Sequence, residues 1–269
     1  KGYIRKLKPH EVLQSDHFYL PWFTVIKLDS TSTPVRIVWD GARKFFGKSL
    51  NSVIELTPNL LQCLFRILMR VRKYKWVVMS DISEMFLRIV LHEKDRRYHR
   101  FMFEGEDYEW VSILFGNISS PNASQKVVQA NCDLHGHLFP MAVDTVRNSC
   151  YMDDCADSID NEDDAVKLVH DLQGLFDMAG MVIHKFQSNS EKVCRSIPPE
   201  KLAKNITFNT NDDWKFGSSK VLGLSYEGEN DVLTFPGKFA NNVEWKKKEK
   251  DWTKTCLLYT SDAADEEDS

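Results

Sequence analysis

Asp153 and Asp154 stand side by side in the run Cys150-Tyr151-Met152-Asp153-Asp154-Cys155-Ala156. The flanking residues predict two short strands, Cys150-Tyr151-Met152 and Cys155-Ala156, with Asp153-Asp154 as the tight turn between them. Asp is a common turn residue, so the dipeptide alone says little. Adjacent carboxylates repel, however, and a divalent cation relieves the conflict. Mg²⁺ takes carboxylate oxygens and fills its remaining octahedral positions with water and phosphate. A third acid, Asp81, follows the apolar run Trp76-Val77-Val78-Met79-Ser80. An Asp at the end of a buried strand is costly unless it emerges at the sheet edge or finds a partner. Beside the Asp153-Asp154 turn it completes a nest of three carboxylates. Such a nest holds two Mg²⁺ ions about 3.5–4 Å apart, the arrangement that serves polymerases and nucleases. One ion lowers the pKa of an attacking hydroxyl and the other neutralises leaving phosphate oxygens. The protein contributes position and field.

The surrounding elements must carry these acids. Val35-Arg36-Ile37-Val38-Trp39 alternates like a strand and Gly41 ends it. Thr57-Pro58 predicts a helix start, with Leu60, Leu61, Leu64, Ile67, Leu68 and Val71 as its apolar stripe. Its far end is cationic (Arg66, Arg70, Arg72, Lys73, Lys75), which suits the helix dipole. Residues 76–80 predict the strand that delivers Asp81, and 82–86 a short turn or helix. Three short strands follow at 88–91, 98–103 and 108–113. Phe115-Gly116 opens a loop to Pro121, where a helix begins and runs to about His135. Asn161 caps another helix, with Glu162, Asp163 and Asp164 in its first turn, and Gly180 closes it. Residues 181–186 and 220–226 predict strands. Helices and antiparallel strands are mixed, so the expected class is α+β.

Length and composition bound the rest. The chain has 269 residues, 42% of them hydrophobic and 12% aromatic, enough for a sizeable core. It begins at Lys1, as a piece of a longer chain would. No apolar run approaches the roughly 20 residues of a membrane span. Six cysteines (63, 132, 150, 155, 194, 256) show neither CxxC pairing nor zinc-ligand spacing. They read as reduced thiols of an intracellular protein. The formal charge of −4 comes from the end of the chain. Residues 256–269 carry five of the 39 acids and none of the 35 Lys and Arg, so the remainder is nearly neutral. The opening of this tail looks like a translated transposase-type sequencing adapter; we expect it to be non-native and unpacked.

Ser80-Asp81-Ile82-Ser83-Glu84-Met85-Phe86, the loop Phe115-Gly116…Ser120-Pro121 and Tyr151-Met152-Asp153-Asp154 resemble motifs A, B and C of a reverse transcriptase. Residues 179–185 (AGMVIHK) resemble motif D, and Val221-Leu222-Gly223-Leu224 resembles the primer grip. Tyr19-Leu20-Pro21, residues 35–42 and Leu91-His92-Glu93-Lys94-Asp95-Arg96 are similar to BEL/Pao-type LTR retrotransposons. The resemblance runs from Lys1 to about Asn230, with five motifs in order. It implies a right-hand polymerase with an antiparallel palm sheet backed by helices. Fingers would be 1–56 and 89–119, palm 57–88 and 120–228, and 229–255 the start of a thumb or a linker.

The resemblance also implies roles. Asp81, Asp153 and Asp154 would bind two Mg²⁺ ions, or Mn²⁺ in their place. Lys185 would protonate the leaving pyrophosphate. Arg36 would grip the triphosphate through its guanidinium fork, with Lys27 as a second cation. Phe86 would be the steric gate against a 2′-OH, and Gly116 would let the loop approach the nascent base pair. Tyr151 and Met152 would border the substrate, and Leu222, Gly223 and Leu224 would hold the primer. Phe115 departs from the retroviral Gln. It can stack on a nucleotide but cannot hydrogen-bond to its 3′-OH, and an aromatic residue there fits the BEL/Pao pattern. The implied partners are an RNA or DNA template with a DNA primer, dNTPs, and the protease, RNase H and integrase segments of a polyprotein. No membrane is implied; the expected location is cytoplasmic, in a virus-like particle. The alternatives are an inactive or repurposed remnant that binds nucleic acid and a two-metal nuclease; the latter leaves Phe86 and the motif order unexplained.

Overall fold

In a computed structural model of the chain, residues 1–26, 34–55, 57–208, 214–228 and 230–234 are described. The strands are β1 (Ile4–Lys6), β2 (Trp22–Ile26), β3 (Val35–Trp39), β4 (Trp76–Ser83), β5 (Arg100–Phe103), β6 (Glu106–Trp110), β7 (Cys150–Tyr151), β8 (Asp154–Ile159), β9 (Val182–Ser188), β10 (Ile206–Phe208), β11 (Trp214–Phe216), β12 (Ser219–Val221), β13 (Leu224–Glu227) and β14 (Val232–Thr234). The helices are α1 (Pro9–Val12), α2 (Leu50–Val53), α3 (Leu64–Val71), α4 (Glu93–Arg96), α5 (Ser120–His135), α6 (Pro140–Ser149), α7 (Glu162–Met178) and α8 (Glu191–Arg195). Helices and antiparallel strands are mixed throughout, the α+β class that the sequence predicts. Among the described residues no helix is long and apolar enough to cross a membrane.

The chain forms two compact units. The first comprises 1–63, 82–153 and 171–183. In it, β1, β6 and β5 make an antiparallel sheet in that order, and β2 pairs with β3 from Trp22↔Trp39 to Ile26↔Val35. Its apolar centre joins Leu20, Leu50 and Leu114 to Phe18, Trp39, Ile54, Tyr98 and Trp110. The Trp39 ring meets Phe101 and Trp110 edge-on at 4.7 and 5.2 Å, a favoured aromatic geometry.

The second unit comprises 64–81, 154–170 and the residues from 184 onward. Here β4 pairs antiparallel with β8, from Trp76↔Ile159 to Asp81↔Asp154. Val77, Val78, Met79 and Ser80 are all buried, which explains the unbroken apolar run in the sequence. Helix α3 lies on β8: the Ser158 hydroxyl donates to the Arg70 carbonyl, and Arg70 pairs with buried Asp157 at 2.9 Å. The Asn161 side chain accepts from the Asp163 and Asp164 amides and so caps α7, as expected. Leu168 and Val169 are fully buried on that helix.

Several expectations change. The helix predicted from Thr57 begins only at Leu64. The Thr57 hydroxyl accepts from the Asn122 amide rather than capping, and the Leu60 amide donates to Asn122 Oδ1, so the first turn has no free cap. Helix α6 has no counterpart in the sequence reading, although Pro140 and buried Ala142, Thr145, Val146 and Ser149 follow helical spacing. Residues 88–91 are not a strand. Residues 220–226 form a hairpin instead of one strand, because Leu222 and Gly223 both adopt positive φ (50° and 84°) and turn the chain in two residues. The cysteines also differ from expectation: Cys150 and Cys155 are disulfide-bonded, while Cys63, Cys132 and Cys194 are free. Lys27 and the tail 256–269 lie outside the described residues.

Leu168 sits with no exposure on α7. Leu168→Ala should therefore lower unfolding stability by about 2–5 kcal/mol, the cost of lost burial plus an incompletely collapsed cavity. Urea denaturation of the two proteins measures it.

Candidate active site

The strand β4 runs through apolar surroundings and releases Asp81 at its polar end. Its antiparallel register sets Asp81 directly opposite Asp154, the first residue of β8. Two acids far apart in the sequence thus become cross-strand neighbours, where like charges oppose each other. The Asp81 carboxylate is compensated from β9: His184 Nε2 lies 2.6 Å from Oδ1 and the Lys185 ammonium 3.2 Å from the same oxygen. A small cavity of about 170 Å³ is lined by Asp81, Asp154, Lys185, Gln187, Lys220 and Leu222, among others. Sequence-predicted acids, the motif D lysine and the primer-grip hairpin therefore share one pocket. Gln187 and Lys220 belong to it too; like His184 beside Asp81, they were not singled out in the sequence. His184 and Gln187 lie at i−1 and i+2 from Lys185, but only the β4 partner reveals what they face.

The turn before Asp154 sits one residue earlier than expected. Strand β7 ends at Tyr151, Met152 takes a left-handed φ of 54°, and Asp154 already belongs to β8. The early turn is what gives Asp154 its ladder position opposite Asp81. In the first unit, the Asp153 carbonyl accepts from the Ile82 amide at 2.7 Å, and the Met152 carbonyl accepts from Gln125 at 3.4 Å. Among the described residues no three His, Cys, Asp or Glu side chains gather as a metal-binding group. Of the three expected carboxylates, Asp81 and Asp154 meet within the second unit, and Asp153 belongs to the first unit. Asp81 takes the donors of His184 and Lys185, which offset its charge. The donor chemistry still fits a hard divalent ion, which favours carboxylate oxygens.

The first unit carries the other predicted residues. Phe86 is 5% exposed and its ring centroid lies 4.6 Å from that of Phe115, which is 61% exposed. Glu84, two residues before Phe86, has a φ of 52° and accepts from the Tyr3 hydroxyl at 2.6 Å and from Lys1. Those contacts, Lys1 first, hold its carboxyl below the usual carboxylate range. Gly116 has a φ of +93°, and a Cβ there would lie 2.0 Å from the Trp39 carbonyl oxygen. Only glycine fits. Asn51 ties this loop down, donating to the Gly116 carbonyl at 2.9 Å and accepting from the Ile118 amide at 3.0 Å. Asn51 was not foreseen. Arg36 is exposed on β3, opposite Val25.

Backbone strain marks the same places. Eight non-glycine residues have positive φ among the described residues, and four of them are Glu84, Met152, Lys185 and Leu222. Each costs of order 1 kcal/mol or more, and such strain persists where surroundings over-determine it, above all at functional sites. These four fall in four of the five motifs singled out in the sequence.

The chain resembles solved structures of foamy viral protease-reverse transcriptase. The form named dRH in complex with double-stranded DNA is 17% identical, with a TM-score of 0.57 over 94% of this chain and 34% of that one. The form in complex with an RNA/DNA hybrid is 17% identical, with a TM-score of 0.56 over 96% of this chain and 28% of that one. A further double-stranded DNA complex has a TM-score of 0.55, 17% identity, and coverage of 94% and 41%. The chain thus spans between about a quarter and two fifths of the proteins it matches, and the likeness establishes the fold. Comparison with curated protein sequences finds no match. The family described as reverse transcriptase (RNA-dependent DNA polymerase) matches residues 7–205, close to three quarters of the chain and all of motifs A to D. This chain belongs to the reverse transcriptase family.

Proposed function

We propose that the chain is the fingers and palm of an RNA-directed DNA polymerase. Fingers are 1–56 and 89–119, palm is 57–88 and 120–228, and 229–255 begins a thumb or linker. The observation that carries the reading is Asp81 opposite Asp154 across β4 and β8, in a pocket that also takes in Lys185 and Leu222. The reaction transfers a nucleotide: the primer 3′-oxygen bonds to the α-phosphorus of a dNTP, and the bond to pyrophosphate breaks. Asp81, Asp153 and Asp154 would hold two Mg²⁺ ions, or Mn²⁺. Once bound, these supply a more acidic primer hydroxyl and charge neutralisation at phosphate.

The chain's own groups do the rest. Lys185, an ammonium 3.2 Å from Asp81, is placed to give the departing pyrophosphate its proton. Arg36 offers a planar fork to the triphosphate, with Lys27 as a second cation. The buried Phe86 ring fills the space that a 2′-OH needs, and Phe115, packed on it, offers an exposed face for the nucleotide. Gly116 brings backbone close to the nascent pair, Tyr151 and Met152 border it, and the Leu222-Gly223-Leu224 turn supports the primer. An element of BEL/Pao type, with protease, RNase H and integrase elsewhere in its polyprotein and a cytoplasmic particle as its site of action, is the source that fits the motif details.

Primer extension tests the reading. On an RNA template with a DNA primer, the chain should extend the primer with Mg²⁺, and Asp81→Asn or Asp153→Asn should abolish extension while circular dichroism stays unchanged. Equal extension by a folded Asp81→Asn protein, or degradation of the template in place of extension, would overturn it. Sugar choice gives an independent measurement. Phe86→Val should lower the ratio of kcat/KM for dNTP over rNTP by on the order of 10²-fold, since the ring displaces a ribonucleotide by about 1 Å from in-line geometry. Were Phe86 only a core residue, the substitution would cost about 2–4 kcal/mol of stability and leave the ratio unmoved.

A further inference from the structure

The loop that carries Phe115 is gripped from two sides. Asn51 holds Gly116 and Ile118, as described above. On the other side stands His99, 5% exposed, just ahead of β5. Its Nε2 lies 2.9 Å from Asn117 Nδ2, and its Nδ1 lies 3.0 Å from the Asp95 carbonyl oxygen. The proton positions in this relay follow from chemistry. The Ser119 amide, 3.0 Å from Asn117 Oδ1, can only donate, so Asn117 must turn its oxygen to Ser119 and its NH₂ to His99. The Ser119 hydroxyl donates to the same oxygen at 2.8 Å. Asn117 therefore donates to Nε2, which must be unprotonated. The Asp95 carbonyl can only accept, so Nδ1 carries the hydrogen. One tautomer of neutral imidazole satisfies every partner, and a second proton at Nε2 would set donor against donor.

We propose that His99 is a positioning residue for nucleotide selection: through Asn117 it fixes the loop so that the Phe115 ring keeps its place against Phe86. This rests on the polymerase reading of Phe86 and Phe115. The relay is anchored at its His99 end, where the His99 amide donates to the Arg96 carbonyl at 2.8 Å and the His99 carbonyl accepts from the Trp110 amide at 3.0 Å. It also borders a cavity of about 490 Å³ whose other walls include Leu50, Val53, Ile54, Leu91, Asp95, Tyr98 and Ser119. The Asn117 side chain therefore has room to swing away once His99 releases it.

Asp95 is the one acid facing His99 among these residues, and Tyr98 the other titratable group; α2 and the loop contribute only uncharged side chains. Burial, the dominant cause, pushes the His99 pKa below its ordinary value. The unfolded chain therefore binds this proton at higher pH than the folded chain does. Its stability contribution is full above about pH 6.5, the ordinary histidine value, and declines as pH falls below that, while the relay itself breaks only as pH falls through the lower value of the folded chain.

The experiment places 4-fluorophenylalanine at position 115 and reads its ¹⁹F signal, alongside dNTP kinetics, in wild type, His99→Leu and His99→Gln. Gln can accept from Asn117 and donate to Asp95; Leu can do neither. His99→Leu should shift or broaden the ¹⁹F signal and raise KM for dNTP about tenfold, the size of one lost buried hydrogen bond, with little change in kcat. His99→Gln should restore both. The wild-type signal should move only at a pH below the ordinary histidine value of about 6.5, as pH falls through the lowered value of folded His99, and that of His99→Gln should not. A folded His99→Leu protein with unmoved signal and KM overturns the proposal, as does a folded His99→Gln protein as impaired as His99→Leu. If His99→Leu does not fold, the pH comparison decides: an identical pH response in wild type and His99→Gln refutes the relay. If the wild type extends no primer, the polymerase reading falls, while the ¹⁹F signals still decide whether His99 positions Phe115.

Discussion

A single ladder position governs this molecule: a carboxylate leaves a buried strand directly across from another carboxylate. The β4–β8 register that faces Asp81 with Asp154 also sets buried Val77, Val78 and Met79 against buried Ser158, Asp157 and Ala156. A slip of one residue would part Asp81 from Asp154. The register thus delivers the acids to one end of the sheet. The like-charge pair that results is a cost that the fold must offset. His184 and Lys185 on β9 do so by placing donors against Asp81 Oδ1.

Strain follows from the same constraint. Met152 turns the chain early so that Asp154 begins β8 in register, and it does so in a left-handed conformation that no hairpin needs a methionine for. Lys185 shares that conformation inside β9, as does Leu222 in the β12–β13 turn. Each of these turns aims a residue that lines or neighbours the pocket of Asp81 and Asp154. In the first unit, Gly116 is held against the Trp39 carbonyl, Asn51 ties its loop from one side and His99 from the other. Placement in both units comes from side-chain hydrogen bonds and ion pairs as well as from the sheets.

Much of the fold was legible because its signals are local. The apolar run before Asp81, the Asn161 cap with three acids after it, and the helix opening at Pro121 each depend on neighbours a few residues away. The misjudged elements gave local signals that a distant partner, an unusual backbone angle or a polar buried face set aside. Thr57 reads as a cap, but Asn122 takes its hydroxyl. Residues 220–226 read as one strand, but positive φ at Leu222 folds them into a hairpin. Helix α6 has a buried face containing Thr145 and Ser149, so polarity hid its period.

Residue types and spacing alone supply the candidates: three aspartates, Phe86, Phe115-Gly116, Lys185 and the Leu222-Gly223-Leu224 run, in an order that resembles the family. They can do so because residue type and spacing along a strand or turn are one-dimensional properties. Only the tertiary structure decided which of these groups meet. It paired Asp81 with Asp154, set His184 and Lys185 on Asp81, and brought Phe86 against Phe115. It also recruited Asn51 and His99, whose partners lie 65 and 18 residues away. Hydrogen-bond partners that far apart are chosen by packing, because only the folded core brings donor and acceptor within 3 Å and removes the water that would otherwise satisfy them.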